Sequence, residues 1–168
     1  MVFAIFFLFQ LPNEGQFVVQ AGGKEIKFSY TTGTFDPEQN SISPLLEGDP
    51  RYAQNGTVFV INGLIGYGTD LHHVPERQIE GMTVSFNGRA VTLERKFYSD
   101  CFEPNFSADS FSVKPTIDGE KVLLVMEANT YSALWIVTEA GQVTRFIFPL
   151  PDCSVFNLDC LNAANIGQ

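Results

Sequence analysis

Three apolar runs separated by short breaks constrain the fold of this chain more than any other feature. They are residues 122–126, which have no polar interruption, and residues 131–137 and 143–148, which are rich in β-branched and aromatic side chains. Runs of this length and composition are typical of β-strands, and Asn129 and Gly141 in the breaks suit tight antiparallel connections. The pattern predicts a three-stranded meander whose first strand is covered on both faces or lies centrally in its sheet.

Other strand and turn signals extend this prediction to the rest of the chain. Residues 24–30 alternate between polar and apolar side chains, and residues 78–86 and 89–97 flank the hairpin dipeptide Asn87-Gly88. The 16 Phe, 14 Gly and 9 Pro fit many strands joined by many turns. We therefore expect an all-β fold, either an antiparallel barrel or a two-layer sandwich, built from hairpins and the C-terminal meander.

The predicted organisation is one β-rich domain, residues 1–168, with two long loops and one short helix. Residues 31–56 and 98–117 contain several prolines and little strand periodicity, which predicts long surface loops. Apolar side chains recur at helical spacing over about residues 154–165, which predicts a C-terminal helix. Such a helix would pack one face against the β structure.

The apolar run at residues 1–9 bears on compartment and assembly. No Lys or Arg precedes it, the nearest small-residue cleavage site is near Ala21, and it is far shorter than the ~20 apolar residues of a membrane helix. We interpret it as a buried strand that pairs with residues 17–20 across a turn at residues 12–15. We expect no transmembrane segment, and we favour a cytoplasmic location for the protein. Cleavage of residues 1–21 as a signal would instead make the protein secreted, and an exposed run would favour an oligomer.

The charge balance narrows the classes of partner. The formal net charge is −9, and the sequence pI is about 4.5. Nucleic acids and anionic membranes are therefore unfavourable partners, because binding them normally requires basic side chains. The acidity is compatible with a basic protein partner and equally with a surface that only keeps the domain soluble.

Three cysteines, Cys101, Cys153 and Cys160, leave at least one thiol unpaired within the chain. On the predicted helix, Cys153 and Cys160 would lie roughly 10 Å apart, too far to form a disulfide. Any bridge in the chain would pair Cys101 with Cys153 or with Cys160, and the sequence leaves both pairings open.

The two histidines mark the candidate metal and catalytic site. Asp70, His72 and Glu76 are candidate ligands, since imidazole and carboxylate groups together suit a divalent metal. His72, His73 and Glu76 are the candidate catalytic residues of a small metal-assisted hydrolase or isomerase. The alternative is a polar loop that binds nothing, and no other cofactor is expected.

Tyr131 and Trp135 share one face of a predicted strand, with Ala133 between them. An outward face would be an aromatic platform for a sugar ring or a protein partner, and both residues are candidate ligand-binding residues on that interpretation. An inward face would place them in the core, which is the commoner position for Trp and Tyr.

Together these features favour a non-enzymatic binding module that recognises its partner through long loops on a β scaffold. The expected partner is another protein, and a small hydrophobic or carbohydrate ligand is the next alternative. The sequence leans against an enzyme, because no nucleophile motif stands out. Two hypotheses compete with this one: the metal-assisted enzyme described above, and a subunit of a larger assembly.

Overall fold

The computed structural model describes residues 13–44, 59–68, 74–102, 111–128 and 131–149. Within these ranges the chain forms β1 (Glu14–Ala21), β2 (Lys24–Thr34), β3 (Ile42–Pro44), β4 (Phe59–Ile61), β5 (Leu64–Ile65), β6 (Arg77–Phe86), β7 (Arg89–Thr92), β8 (Phe111–Pro115), β9 (Lys121–Glu127), β10 (Tyr131–Thr138) and β11 (Val143–Pro149). Two 3-10 turns, Pro37–Gln39 and Arg95–Phe97, are the only helical elements in the described ranges. The predicted all-β class is confirmed. The predicted helix at 154–165 and the apolar run at 1–9 lie outside the described residues.

The strands form three antiparallel sheets. The first sheet has the order β1-β2-β6-β7, the second sheet has the order β11-β10-β9-β8, and the small sheet has the order β3-β4-β5. The first and second sheets pack on each other through a shared core, and no described strand of one pairs with a strand of the other. The two-layer sandwich is therefore confirmed, and the alternative of a closed barrel is wrong.

The inner faces of the two large sheets supply the core. Alternate residues of β2, such as Ile26 and Phe28, are fully buried against alternate residues of β9 and β10. Aromatic rings join the layers: the rings of Tyr30 on β2 and Phe111 on β8 stack with centroids 4.4 Å apart. This shared burial explains the clean polar and apolar alternation of residues 24–30.

The second sheet is apolar on its other face as well. Leu134 and Val125 are buried there, and they are surrounded by partly buried side chains of β9, β10 and β11. This second cluster explains why residues 122–126 have no polar interruption. The prediction of an interior strand is confirmed, since β9 lies between β8 and β10.

Turn chemistry sets the β6–β7 hairpin. Asn87 and Gly88 have φ values of 49° and 83°, the left-handed conformation that a two-residue hairpin requires, and they join β6 to β7 as predicted. The predicted turn at residues 12–15 is wrong, because Glu14 already belongs to β1 and pairs with Thr31 of β2. The strand formed by residues 17–20 therefore has β2 as a partner.

Both predicted long loops contain strands. Residues 31–34 continue β2 beyond a register irregularity at Thr31 and Thr32, and this irregularity breaks the two-residue period that would have revealed them. Ile42–Pro44 forms β3, and Phe111–Pro115 forms β8 at the edge of the second sheet. β8 has only two buried side chains, so its sequence carries little strand signal. No helix in these described ranges is long and apolar enough to cross a membrane.

Candidate functional site

A polar cleft with a volume of about 700 Å³ lies between the small sheet, β6 and the segment that follows β7. This volume falls within the roughly 300–1,000 Å³ typical of small-ligand sites. Four side-chain amides line it: Gln39, Asn40, Asn62 and Gln78. The cleft brings together residues from the two predicted loop regions, 31–56 and 98–117.

One wall of the cleft is a network of hydrogen-bonded amides. The Asp36 carboxylate caps the first 3-10 turn and accepts hydrogen bonds from the Glu38 N–H at 2.9 Å and from Gln39 Nε2 at 2.6 Å. Asn40 Nδ2 donates to the Asp36 carbonyl at 2.7 Å, and Asn62 Nδ2 donates to Asn40 Oδ1 at 2.6 Å. We call Asp36, Gln39, Asn40 and Asn62 the amide network. Its internal bonds fix these side chains before any ligand arrives.

The position of Asn62 follows from the β4–β5 hairpin. Asn62 and Gly63 have φ values of 52° and 81°, so this Asn-Gly pair forms the same kind of turn as Asn87-Gly88. Asn62 Oδ1 also accepts the Ser41 N–H at 2.9 Å, which ties this turn to the chain just before β3. The next residue, Leu64, lines the cleft with 49% of its surface exposed.

The apolar part of the cleft comes from a separate small hydrophobic cluster of Phe35, Ile61 and Phe102. Ile61 and Phe102 line the cleft and are almost fully buried. The Phe102 ring packs edge-on against Phe35, with centroids 5.3 Å apart. The cleft therefore combines polar walls with an apolar floor.

The opposite wall is formed by residues 95–102, which we call the wall segment. Arg95, Lys96, Ser99 and Phe102 line the cleft, while Tyr98, Asp100 and Cys101 are buried. Lys96 Nζ lies 2.7 Å from a Glu94 carboxylate oxygen, and both side chains are well exposed. The Arg95 guanidinium group has no hydrogen-bonding partner among the described residues, whereas its backbone carbonyl accepts the Tyr98 and Ser99 N–H groups.

Among the described residues that line the cleft, the positive and negative charges are equal in number. Asp36 and Glu80 are acidic, and Arg95 and Lys96 are basic. The Glu80 carboxylate lies directly over the backbone of Gly33, where a Cβ atom would be 2.0 Å from Glu80 Oε1. A balanced cleft rich in amides favours a ligand that forms hydrogen bonds over one that carries a strong net charge.

Tyr131 and Trp135 do not form a surface platform. Their exposed fractions are 1% and 0%, because this face of β10 points into the core. The ligand-binding interpretation of these two residues is therefore wrong, and the core alternative holds. Their polar atoms hold the wall segment instead: Trp135 Nε1 donates to the Phe97 carbonyl at 2.7 Å, and the Tyr131 hydroxyl donates to the Phe102 carbonyl at 3.0 Å.

Cys101 lies in the wall segment as a buried free thiol, whereas its two possible partners, Cys153 and Cys160, lie outside the described residues. Burial raises the pKa of the Cys101 thiol, and the nearby Asp100 carboxylate raises it further. Since the thiolate is the reactive form of cysteine, this residue is unsuited to act as a nucleophile at neutral pH.

The predicted metal and catalytic site falls mostly outside the described residues. Asp70, His72 and His73 lie there, so their convergence with Glu76 remains a prediction. Glu76 itself is exposed just before β6, and its backbone carbonyl accepts the Phe35 N–H at 2.8 Å. In the described part of the chain, no group of three or more His, Cys, Asp or Glu side chains is placed to hold a metal ion.

Sequence reasoning missed the cleft because its residues share no spacing. Gln39 and Asn40 end the first 3-10 turn, whereas Asn62 lies in the β4–β5 turn and Gln78 lies on β6 of the first sheet. Two signals pointed toward the region: the length of the predicted 31–56 loop and the Asn62-Gly63 dipeptide. Neither signal indicates which side chains converge.

Comparison with known proteins gives no information about the function of the cleft. No protein-family model matches the sequence, and neither the curated proteins nor the solved structures include a significant match to the chain.

Proposed function

We propose that the protein is a non-enzymatic binding module whose cleft takes a small hydroxyl-rich ligand of the carbohydrate class. The amide network is the observation that carries this proposal. Amide groups both donate and accept hydrogen bonds, as sugar hydroxyl groups do. After their internal bonds are counted, Asn40 and Asn62 each retain one amide N–H for a ligand.

Preorganisation supports binding over a purely structural role. Asn40 is bonded to both Asp36 and Asn62, and Asn62 is also bonded to the Ser41 backbone. A ligand that meets fixed polar groups avoids the cost of ordering them, which is roughly 0.5–1.5 kcal/mol for each flexible side chain. The network therefore presents a site already shaped for hydrogen bonding.

The apolar floor supports a sugar over a fully polar ligand. A sugar ring has C–H groups on its faces and hydroxyl groups around its edge. The exposed Leu64 offers an apolar contact for a C–H face, while Ile61 and Phe102 support the floor with little exposed surface of their own. The balanced charges of the cleft favour a neutral sugar over a strongly ionised one.

The direct test is a saccharide panel measured by ligand-observed NMR, followed by isothermal titration of each hit. The panel includes neutral, acidic and amino sugars as monosaccharides and short oligomers. The decisive variant is Gln78→Met, which keeps the size of a cleft side chain and removes its amide. Losing one hydrogen bond to the ligand weakens binding by about tenfold.

Gln16→Met on β1 is the matched control. Gln16 lies on the same sheet as Gln78, is partly buried, and does not line the cleft. We expect this variant to bind as tightly as the unmodified protein. The proposal fails if no member of the panel binds, and the cleft assignment fails if Gln78→Met binds a hit with unchanged affinity.

A further inference from the structure

The second sheet reaches across the sandwich to hold the wall segment. Arg145 on β11 donates from Nη1 and Nη2 to the two carboxylate oxygens of Asp100, the Nη2 bond being 2.9 Å long. Arg145 Nη1 also donates to the Phe97 carbonyl at 3.3 Å, the same oxygen that accepts the indole N–H of Trp135. One guanidinium group therefore contacts the wall segment at two points.

The wall segment depends on such outside contacts for its shape. The backbone hydrogen bonds that join two residues of the segment close only local turns. Examples are Tyr98 N–H to Arg95 O at 3.1 Å and Cys101 N–H to Tyr98 O at 3.0 Å. Residues 98–100 pair with no strand, and the bridges at Cys101 and Phe102 are isolated. Tyr67 binds the backbone of the segment at Asp100 and Phe102, and the contacts from β10 and β11 hold its middle at Phe97 and at the Asp100 side chain.

We propose that Arg145 is a positioning residue for the cleft, acting through Asp100. It lies on the second sheet, which contributes none of the described residues that line the cleft. By holding Asp100, it fixes the placement of Arg95 and Ser99 and so sets ligand affinity from the far side of the sandwich. This inference rests on the proposed function.

The chemistry of the pair explains why arginine is needed. A planar guanidinium group can donate to both carboxylate oxygens and to a carbonyl at once, whereas a lysine ammonium group is a point charge without that geometry. Asp100 is 6% exposed, so its orientation is controlled by this partner more than by water. Arg145→Lys keeps the positive charge and removes the two-point contact.

The chain carries its own reporter of the segment's position. Trp135 is the only tryptophan, and its indole N–H bonds directly to the segment at Phe97. Fluorescence emission and acrylamide quenching of Trp135 therefore report how the wall segment sits, with or without ligand. This readout is independent of whether the ligand is a saccharide.

Glu139→Gln is the matched control. The Lys24–Glu139 ion pair also joins the two large sheets, and neither residue lines the cleft. We expect Arg145→Lys to shift Trp135 emission to the red, to increase quenching, and to weaken binding of the panel's saccharide hit by about tenfold. Glu139→Gln should change none of the three at a temperature where all proteins are fully folded.

Two results would overturn the inference: unchanged Trp135 emission in Arg145→Lys, or a loss of affinity in Glu139→Gln as large as that in Arg145→Lys. If the unmodified protein binds no saccharide, the proposed function fails while the Trp135 readout still decides the role of Arg145. If Arg145→Lys does not fold, Asp100→Asn takes its place, because it keeps the shape of the side chain and removes its charge.

Discussion

Gly22 and Asp118 approach so closely that a Cβ atom on Gly22 would lie 2.0 Å from the Asp118 carbonyl oxygen. The contact is reciprocal, since a Cβ atom on Gly119 would lie 2.4 Å from the Ala21 carbonyl oxygen. The β1–β2 turn and the β8–β9 turn therefore pack backbone against backbone. At this end the two sheets of the sandwich meet without side chains between them.

Gly22→Ala should strongly destabilise the fold. An alanine at its φ of 58° is already strained. The added methyl group would also collide with backbone atoms of Asp118, which cannot move aside as the end of a side chain could. Gly23→Ala is the control, because its φ is 74° and open space surrounds the added atom. We expect a loss of about 1–2 kcal/mol for Gly23→Ala from strain alone and about 1–3 kcal/mol more for Gly22→Ala. Urea denaturation measures both, and equal losses would contradict the close packing of the two turns.

Asn62→Gly should weaken ligand binding, and its cost in stability should resemble that of Asn87→Gly, because each variant removes a side chain that accepts a backbone N–H. Glycine accepts the positive φ of this turn, so the change removes the amide and keeps the hairpin. Asn87→Gly makes the same substitution in the matching β6–β7 turn, where the Asn87 side chain accepts the Glu25 N–H at 2.8 Å away from the cleft. Titration with the saccharide hit should show about a tenfold loss for Asn62→Gly and none for Asn87→Gly. Equal affinities in the two variants would remove Asn62 from the site.

Stability should fall at alkaline pH because of Cys101. Its ordinary thiol pKa is 9.0, and burial together with Asp100 raises the pKa in the folded protein. The folded state then keeps a proton that the unfolded chain releases above about pH 9, so the stabilisation is complete below that pH and is lost as the pH rises. The loss approaches about 1.4 kcal/mol per pH unit for one such group.

The measurement is urea denaturation of the unmodified protein and of Cys101→Ser between about pH 8 and pH 10. Serine does not titrate in this range, so the variant should show the shallower pH dependence. Burial also raises the pKa of Tyr131, but its effect begins only above about pH 10, where the unfolded tyrosine loses its proton. Parallel curves for the two proteins would show that the Cys101 thiol is not protected.

Much of the fold was predictable because its signals are local. The meander and the β6–β7 hairpin were recognisable since apolar periods and Asn-Gly turns are encoded in adjacent residues. The sandwich and barrel could not be told apart, because that choice depends on whether β1 and β8 pair or merely pack. β8 was missed since its residues include Ser112, Lys114 and Pro115, and its burial comes from rings on β1 and β2.

The candidate site was far less predictable than the fold. Its amide network depends on Asn40 and Asn62 meeting across the β3–β4 pair, a contact that no spacing in the sequence encodes. The sequence favoured a core position for Trp135 over a surface platform, but it did not indicate the hydrogen bond that the indole N–H donates to the Phe97 carbonyl from there. Side-chain direction on a strand covered on both faces cannot be decided from alternation alone.

The order of strands in the two large sheets has a consequence for how the chain folds. In the second sheet, β8, β9, β10 and β11 are neighbours in both space and sequence, so each pairing closes only a short loop. In the first sheet, β2 pairs with β6, and the chain between them contains the whole small sheet. The β2–β6 ladder therefore has to close a long loop. Since loop closure slows non-local pairing, we expect the meander to gain amide protection first in pulsed hydrogen exchange, and the β2–β6 ladder to gain it last. The wall segment connects the first sheet to the second sheet in sequence. The cleft would therefore be completed only after the more slowly formed first sheet packs on the second.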